Sequence, residues 1–190
     1  MARNILIYGL IGGAVMTILH FATIPLWDKD NNYDLGEVFG YASMILSLLA
    51  VYLGIKHYRD KYNNGSISFK QGFTVGLSIS TVAGMLFAFY VYFFYTKIDP
   101  EFMSKYQKHF IEKIEKSTAS AQEKAKQIAE LKKDFANPLY NNWAFQSFLM
   151  FATVFLIGVV VTLLSSGILK KQKAHNTDDA QKSSKEVVHE

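Results

Sequence analysis

Gly72–Tyr95, GFTVGLSISTVAGMLFAFYVYFFY, is the stretch that decides the fold class. It holds no charged residue and no proline. A helix on the surface of a soluble protein keeps one polar face, and this run keeps none. Its length suits a transmembrane helix, which needs about 20 mostly apolar residues. Ala144–Leu169, AFQSFLMFATVFLIGVVVTLLSSGIL, has the same character and is also free of charge. Asn4–Leu26 and Val38–Ile55 complete a set of four. The expected architecture is all-α: a four-transmembrane-helix bundle with spans near 4–26, 38–55, 72–95 and 144–169.

The first span follows MARN and could be taken for a signal peptide. Its apolar run exceeds the about 7–15 residues of a signal core, and no small-x-small cleavage site follows, so it reads as a true span. Half of the 190 residues are hydrophobic, the formal net charge is +4, and there is no cysteine. Disulfides, thiolate metal sites and cysteine nucleophiles are thereby excluded. The lysines lie beside the spans, which points to membrane-surface chemistry and away from nucleic acid.

The charge pattern orients the chain. Arg3, then Lys56, Arg59, Lys61 and Lys70, then Lys170, Lys171 and Lys173 fall on one side. The opposite first loop, WDKDNNYDLGE, sets Lys29 against Asp28, Asp30, Asp34 and Glu37. Short basic segments stay in the cytoplasm. Both termini are therefore expected inside a bacterial inner membrane, with residues 97–142 outside. Residues 1–96 and 139–172 form the bundle in this reading, and 173–190 a disordered cytoplasmic tail.

Small residues recur along two spans. Gly36, Gly40, Ser43, Ser47, Ala50 and Gly54 step by fours and threes, while Gly72, Gly76, Ser80 and Gly84 step by four throughout. Gly9 and Gly13 add a shorter seam in span one. Lipid offers no hydrophobic drive between helices, so such seams decide packing. Intramolecular contact is the expected use, with homo-oligomer packing as the alternative. Aromatics such as Trp27, Tyr90, Tyr92, Tyr95, Tyr140 and Trp143 read as an outer interfacial belt.

The insert between spans three and four, residues 97–138, carries two amphipathic stripes. Phe102, Tyr106, Phe110 and Ile114 make the first; Ala121, Ala125, Ile128, Leu131 and Phe135 make the second. Ser120 and Glu123 match a capping box, and Asn137-Pro138 ends the second helix. The expectation is an outer helical hairpin whose stripes face each other or the membrane surface.

Chemistry-bearing candidates are few. His20 is the one ionisable side chain inside a span, and such residues mark functional sites by default. Its place near the end of span one equally suits a hydrogen bond to a neighbouring helix. Asp28, Asp30, Asn32 and Asp34 begin like a calcium loop, but Tyr33 and Phe39 stand where glycine and glutamate are required. His175 and His189 lack partners at metal spacing. No catalytic, cofactor-binding or metal residue is assigned. The basic loop with Lys56, Arg59, Lys61 and Lys70 suits anionic headgroups or a docking partner.

The segments GYASMILSLLAVYLGIKHYRDK, GSISFKQGFTVGL, PEFMSKY and NPLY resemble a bacterial domain-of-unknown-function family of four-span inner-membrane proteins. The likeness runs over about residues 4–172. It implies the same four-helix layout with a long charged helical insert, and no activity. A non-enzymatic accessory or scaffold subunit with a protein partner is the leading expectation. A small oligomeric transporter or channel is the alternative.

Overall fold

The computed structural model describes residues 1–171. The tail reading, with His175 and His189, lies outside the described residues. The elements are α1 (Ala2–Trp27), α2 (Tyr33–Ser47), α3 (Leu49–Tyr62), α4 (Phe69–Phe93), α5 (Phe102–Lys116), α6 (Ala121–Phe135) and α7 (Trp143–Leu169). Among the described residues, four helical stretches are long and apolar enough to cross a membrane: α1, α2 with α3, α4 with the wider turn that follows it to Ile98, and α7. Their exteriors are apolar too. Ile18, Phe89, Leu156 and Ile168 are all more than 60% exposed. A soluble fold would not present such residues on every side.

Polar residues set the helix starts. Asn32 accepts from the Leu35 amide at 3.1 Å and opens α2. Ser68 and Gln71 form a reciprocal capping box at the start of α4, satisfying amide donors at both its positions. Ser120 accepts from the Glu123 amide at 3.3 Å, and Asn142 from the Phe145 amide at 3.1 Å. The second span extends beyond 38–55 in both directions, because the Asn32 cap starts it early and the charged turn through Tyr62 stays helical.

That span is interrupted at Leu48, whose ψ of −5° departs from the helical value. The Ser47 hydroxyl donates to the Ser43 carbonyl at 2.6 Å just before it, a back-bond that bends helices. The break changes the partners of the span. α3 packs against α1, α4 and α7, whereas α2 leans mainly on α1 and barely touches α7.

α4 is the central helix, with α7 along one side and α1 along the other. A Cβ on Gly72 would sit 3.1 Å from Ser166, one on Gly76 2.7 Å from Thr162, and one on Gly84 3.1 Å from Phe151. From the facing helix, a Cβ on Gly158 would sit 2.6 Å from Ser80. Gly9 and Gly13 lie as tightly against Val82 and Leu86 of α4, and Gly54 lies against Ile79 and Tyr8. Gly36 adjoins the Trp27 ring. Gly40 departs from the expected seam: a Cβ there would meet nothing within 4 Å, because α2 has already parted from its neighbours. Ser43, Ser47 and Ala50 are buried. Leu48, Val51, Ile55, Val75, Ile79 and Val154 fill the core between the seams.

Candidate functional site

α5 lies on one end of the bundle, held there by aromatic contact. Phe102 meets the rings of Tyr33, Phe94 and Tyr95 at centroid distances of 5.6, 6.0 and 5.2 Å. Tyr106 meets Tyr33 at 5.8 Å, and Tyr33 in turn meets Trp27 at 5.6 Å. Tyr33 and Trp27 are 2% and 3% exposed, so the first loop carries two of the best-buried rings in the molecule. Trp27 is thus packed inside and does not join a lipid-facing belt. Tyr95 stacks on Trp143 at 5.2 Å, whereas Tyr92 does stay exposed.

The acids of the first loop complete the attachment. Lys113 Nζ donates to Asp34 at 2.7 Å, and the His109 ring lies 3.4 Å from the same carboxylate. The Tyr106 hydroxyl donates to Glu37. Burial first, and then the Glu37 carboxylate, push Tyr106 above the ordinary tyrosine range. Asp99, 3.0 Å from Lys105, holds that ammonium above the usual lysine range. The expected solvated acidic loop is therefore a docking surface for the insert. The first stripe divides along its length: Phe102 and Tyr106 engage the bundle, while Tyr106 also reaches Phe135 of α6 at 6.3 Å.

Beneath α5 lies a cavity of about 350 Å³. That size falls in the range of small-molecule sites. α5 covers it with Phe102, Met103 and Tyr106. α4 supplies Phe87, Tyr90, Val91 and Phe94 as its back wall. Glu37, Gly40, Tyr41 and Met44 line it from α2, and Gln146, Met150 and Thr153 from α7. The space exists because α2 leaves α7 beyond the Leu48 break. His20 stands in the wall, its Nδ1 3.1 Å from the Tyr90 hydroxyl. The imidazole also lies edge-on to Phe87 and Phe94, each with centroids 5.9 Å away. Its place at the end of span one thus leads to a bond with the neighbouring α4.

The basic loop sits at the opposite end. Lys56, Lys61 and Lys70 are exposed. Arg59 is engaged within the chain: its Nε lies 2.6 Å from Asp60, and its Nη1 donates to the Leu169 carbonyl at 3.5 Å. Ile67 and Lys171 exchange backbone hydrogen bonds of 2.9 Å, tying this loop to the end of α7. The sequence reading missed both the cavity and the docking of α5. The available signal was charge complementarity between the acidic first loop and the lysines of the insert.

No curated protein and no solved structure matches the chain. The family model described as Protein of unknown function (DUF4199) matches residues 7–171, nearly all of the described chain and both walls of the cavity. The chain belongs to the DUF4199 family.

Proposed function

We propose that this is a multi-pass protein of the bacterial inner membrane that works as a non-catalytic accessory or scaffold subunit. Both termini are cytoplasmic in this reading. α5 and α6 form an outer hairpin that holds an envelope partner, while the four spans anchor it. The observation that carries the proposal is the attachment of α5. Aromatic packing through Tyr33 and Phe102, with the Asp34–Lys113 and Glu37–Tyr106 contacts, fixes the insert to the bundle. α6 touches mainly α5 and turns Glu123, Lys126, Glu130 and Lys133 to the exterior. A bundle needs only a short turn there, and long insertions in compact domains are often functional. Lys56, Lys61 and Lys70 suit anionic headgroups at the cytoplasmic face.

Orientation is tested with single cysteines, since the chain has none. Ser117→Cys should react with an impermeant thiol reagent in spheroplasts, and Lys61→Cys should not; the reverse pattern overturns the topology. Partner binding is tested by mild-detergent copurification of the full chain and of a quadruple alanine variant at Glu123, Lys126, Glu130 and Lys133. A stoichiometric partner lost with the variant supports the scaffold reading. The cavity favours a second reading, a small oligomeric transporter. A symmetric oligomer that moves solute in liposomes, with no copurifying partner, would replace the first reading with that one.

A further inference from the structure

We propose that the cavity beneath α5 binds an amphiphile with a cationic head: an apolar body joined to an amine or quaternary ammonium. Charge makes the first argument. Among the described residues, Glu37 is the one carboxylate lining the cavity, and no lysine or arginine lines it. On α5, which covers the cavity, Lys105 and Lys113 already face acids, Asp99 and Asp34. An anionic headgroup would meet Glu37 with no counter-charge. A cation would gain the Glu37 carboxylate at the exposed rim of the cavity, beside the Tyr106 hydroxyl that already donates to it.

Ring chemistry makes the second argument. Tyr33, Tyr41, Tyr90, Phe94, Phe102 and Tyr106 present rings toward the same space. Aromatic faces attract cations, and walls built of several rings are how proteins hold quaternary ammonium groups. The third argument is polarity along the cavity. Glu37 is exposed, whereas Met44 and Phe87 are 5% and 2% exposed. The head would sit at Glu37 under α5, and the apolar body would run down between α2 and α7, where those helices part. The site needs no partner on α6, so it stands or falls apart from the scaffold reading.

The test uses the purified full chain in dodecyl maltoside with radiolabelled decyltrimethylammonium. Decyldimethylamine oxide serves as the neutral competitor of like shape and decyl sulfate as the anionic one. The expected result is saturable binding, no competition by the sulfate, and about tenfold weaker competition by the amine oxide. Glu37→Gln should erase the preference for the ammonium over the amine oxide. Tyr106→Phe removes the hydroxyl but keeps the carboxylate, and should retain the preference. Met44→Trp should fill the cavity and abolish binding. Equal competition by all three amphiphiles would mean adsorption to the apolar exterior, and equal competition by the two non-anionic ones a neutral-lipid site. Either overturns the proposal, as does an unchanged preference in Glu37→Gln.

Discussion

Gly76 has no room for a side chain. A Cβ there would fall 2.7 Å from Thr162 and 2.8 Å from Ile55, on two different helices. Neither neighbour can retreat without disturbing the core. Gly76→Leu should therefore lose about 1–3 kcal/mol of stability through overpacking. Gly40, in the open stretch of α2, gives the contrast. Gly40→Ala should be neutral or gain about 0.5–1 kcal/mol, because alanine restricts the unfolded chain and meets nothing in the fold. Thermal unfolding in detergent reads both. No loss at Gly76 would mean that α4 is not as close to α7 as described, and a loss at Gly40 that α2 is packed there. The four-residue step from Gly72 to Gly84 is visible in the sequence. So is the matching step Val154, Gly158, Thr162, Ser166 in α7, the line that receives it. The different fate of Gly40 is not visible, because it depends on where α2 leaves its neighbours.

At the scale of elements, the spans were legible and the docking of α5 was not. An uncharged run long enough to cross a bilayer declares itself by composition alone. The Tyr106–Glu37 contact joins residues 69 apart in sequence, and no periodicity records it. Amphipathic spacing announced an apolar face on α5 without saying what it faces. The Leu48 interruption was equally silent, since LLAV continues a helical pattern. The docking makes its own prediction. Tyr33 touches Trp27, Phe102, Tyr106 and His109, so Tyr33→Ala should release α5 and α6 while the spans stay folded. Trypsin should then cut the lysines of the insert faster in detergent, with the spans left whole. An unchanged cleavage rate would show that the insert is held elsewhere. The attachment should also respond to alkali. Tyr106 and Lys105 both have raised pKa values in the fold, so their protonated forms stabilise it. That contribution is complete below about pH 10, the ordinary tyrosine and lysine range, and is lost as pH rises through the raised values. A spin-label distance between cysteines at Lys29 and Ser117 should hold steady to about pH 10 and lengthen above it. A distance that does not change above about pH 10 would show that Tyr106 and Lys105 do not hold the insert.

At the scale of the whole molecule, the question is whether the bundle stands without its insert. Neither α5 nor α6 contains a fully buried residue, whereas the spans carry a continuous core from Val51 and Ile55 to Phe87 and Val91. The close contacts of α4 with α1 and α7 do not involve the insert. Replacing residues 100–137 with a short Gly/Ser linker should therefore leave four inserted, helical spans. What should change is the α5 end. Trp27 is 3% exposed, with Phe102 among the rings against it. Without α5 it should become open to solvent while its other neighbours, Tyr33 and Gly36, stay in place. Trp27 and Trp143 are the only tryptophans, so a Trp143→Phe background isolates the signal. The expected outcome is a loss of helicity no larger than α5 and α6 themselves contribute, a red-shifted emission and faster acrylamide quenching. A loss beyond that would place α5 within the cooperative core of the bundle. Unchanged emission would mean that Trp27 is shielded by the first loop alone, and that α5 does not close that end.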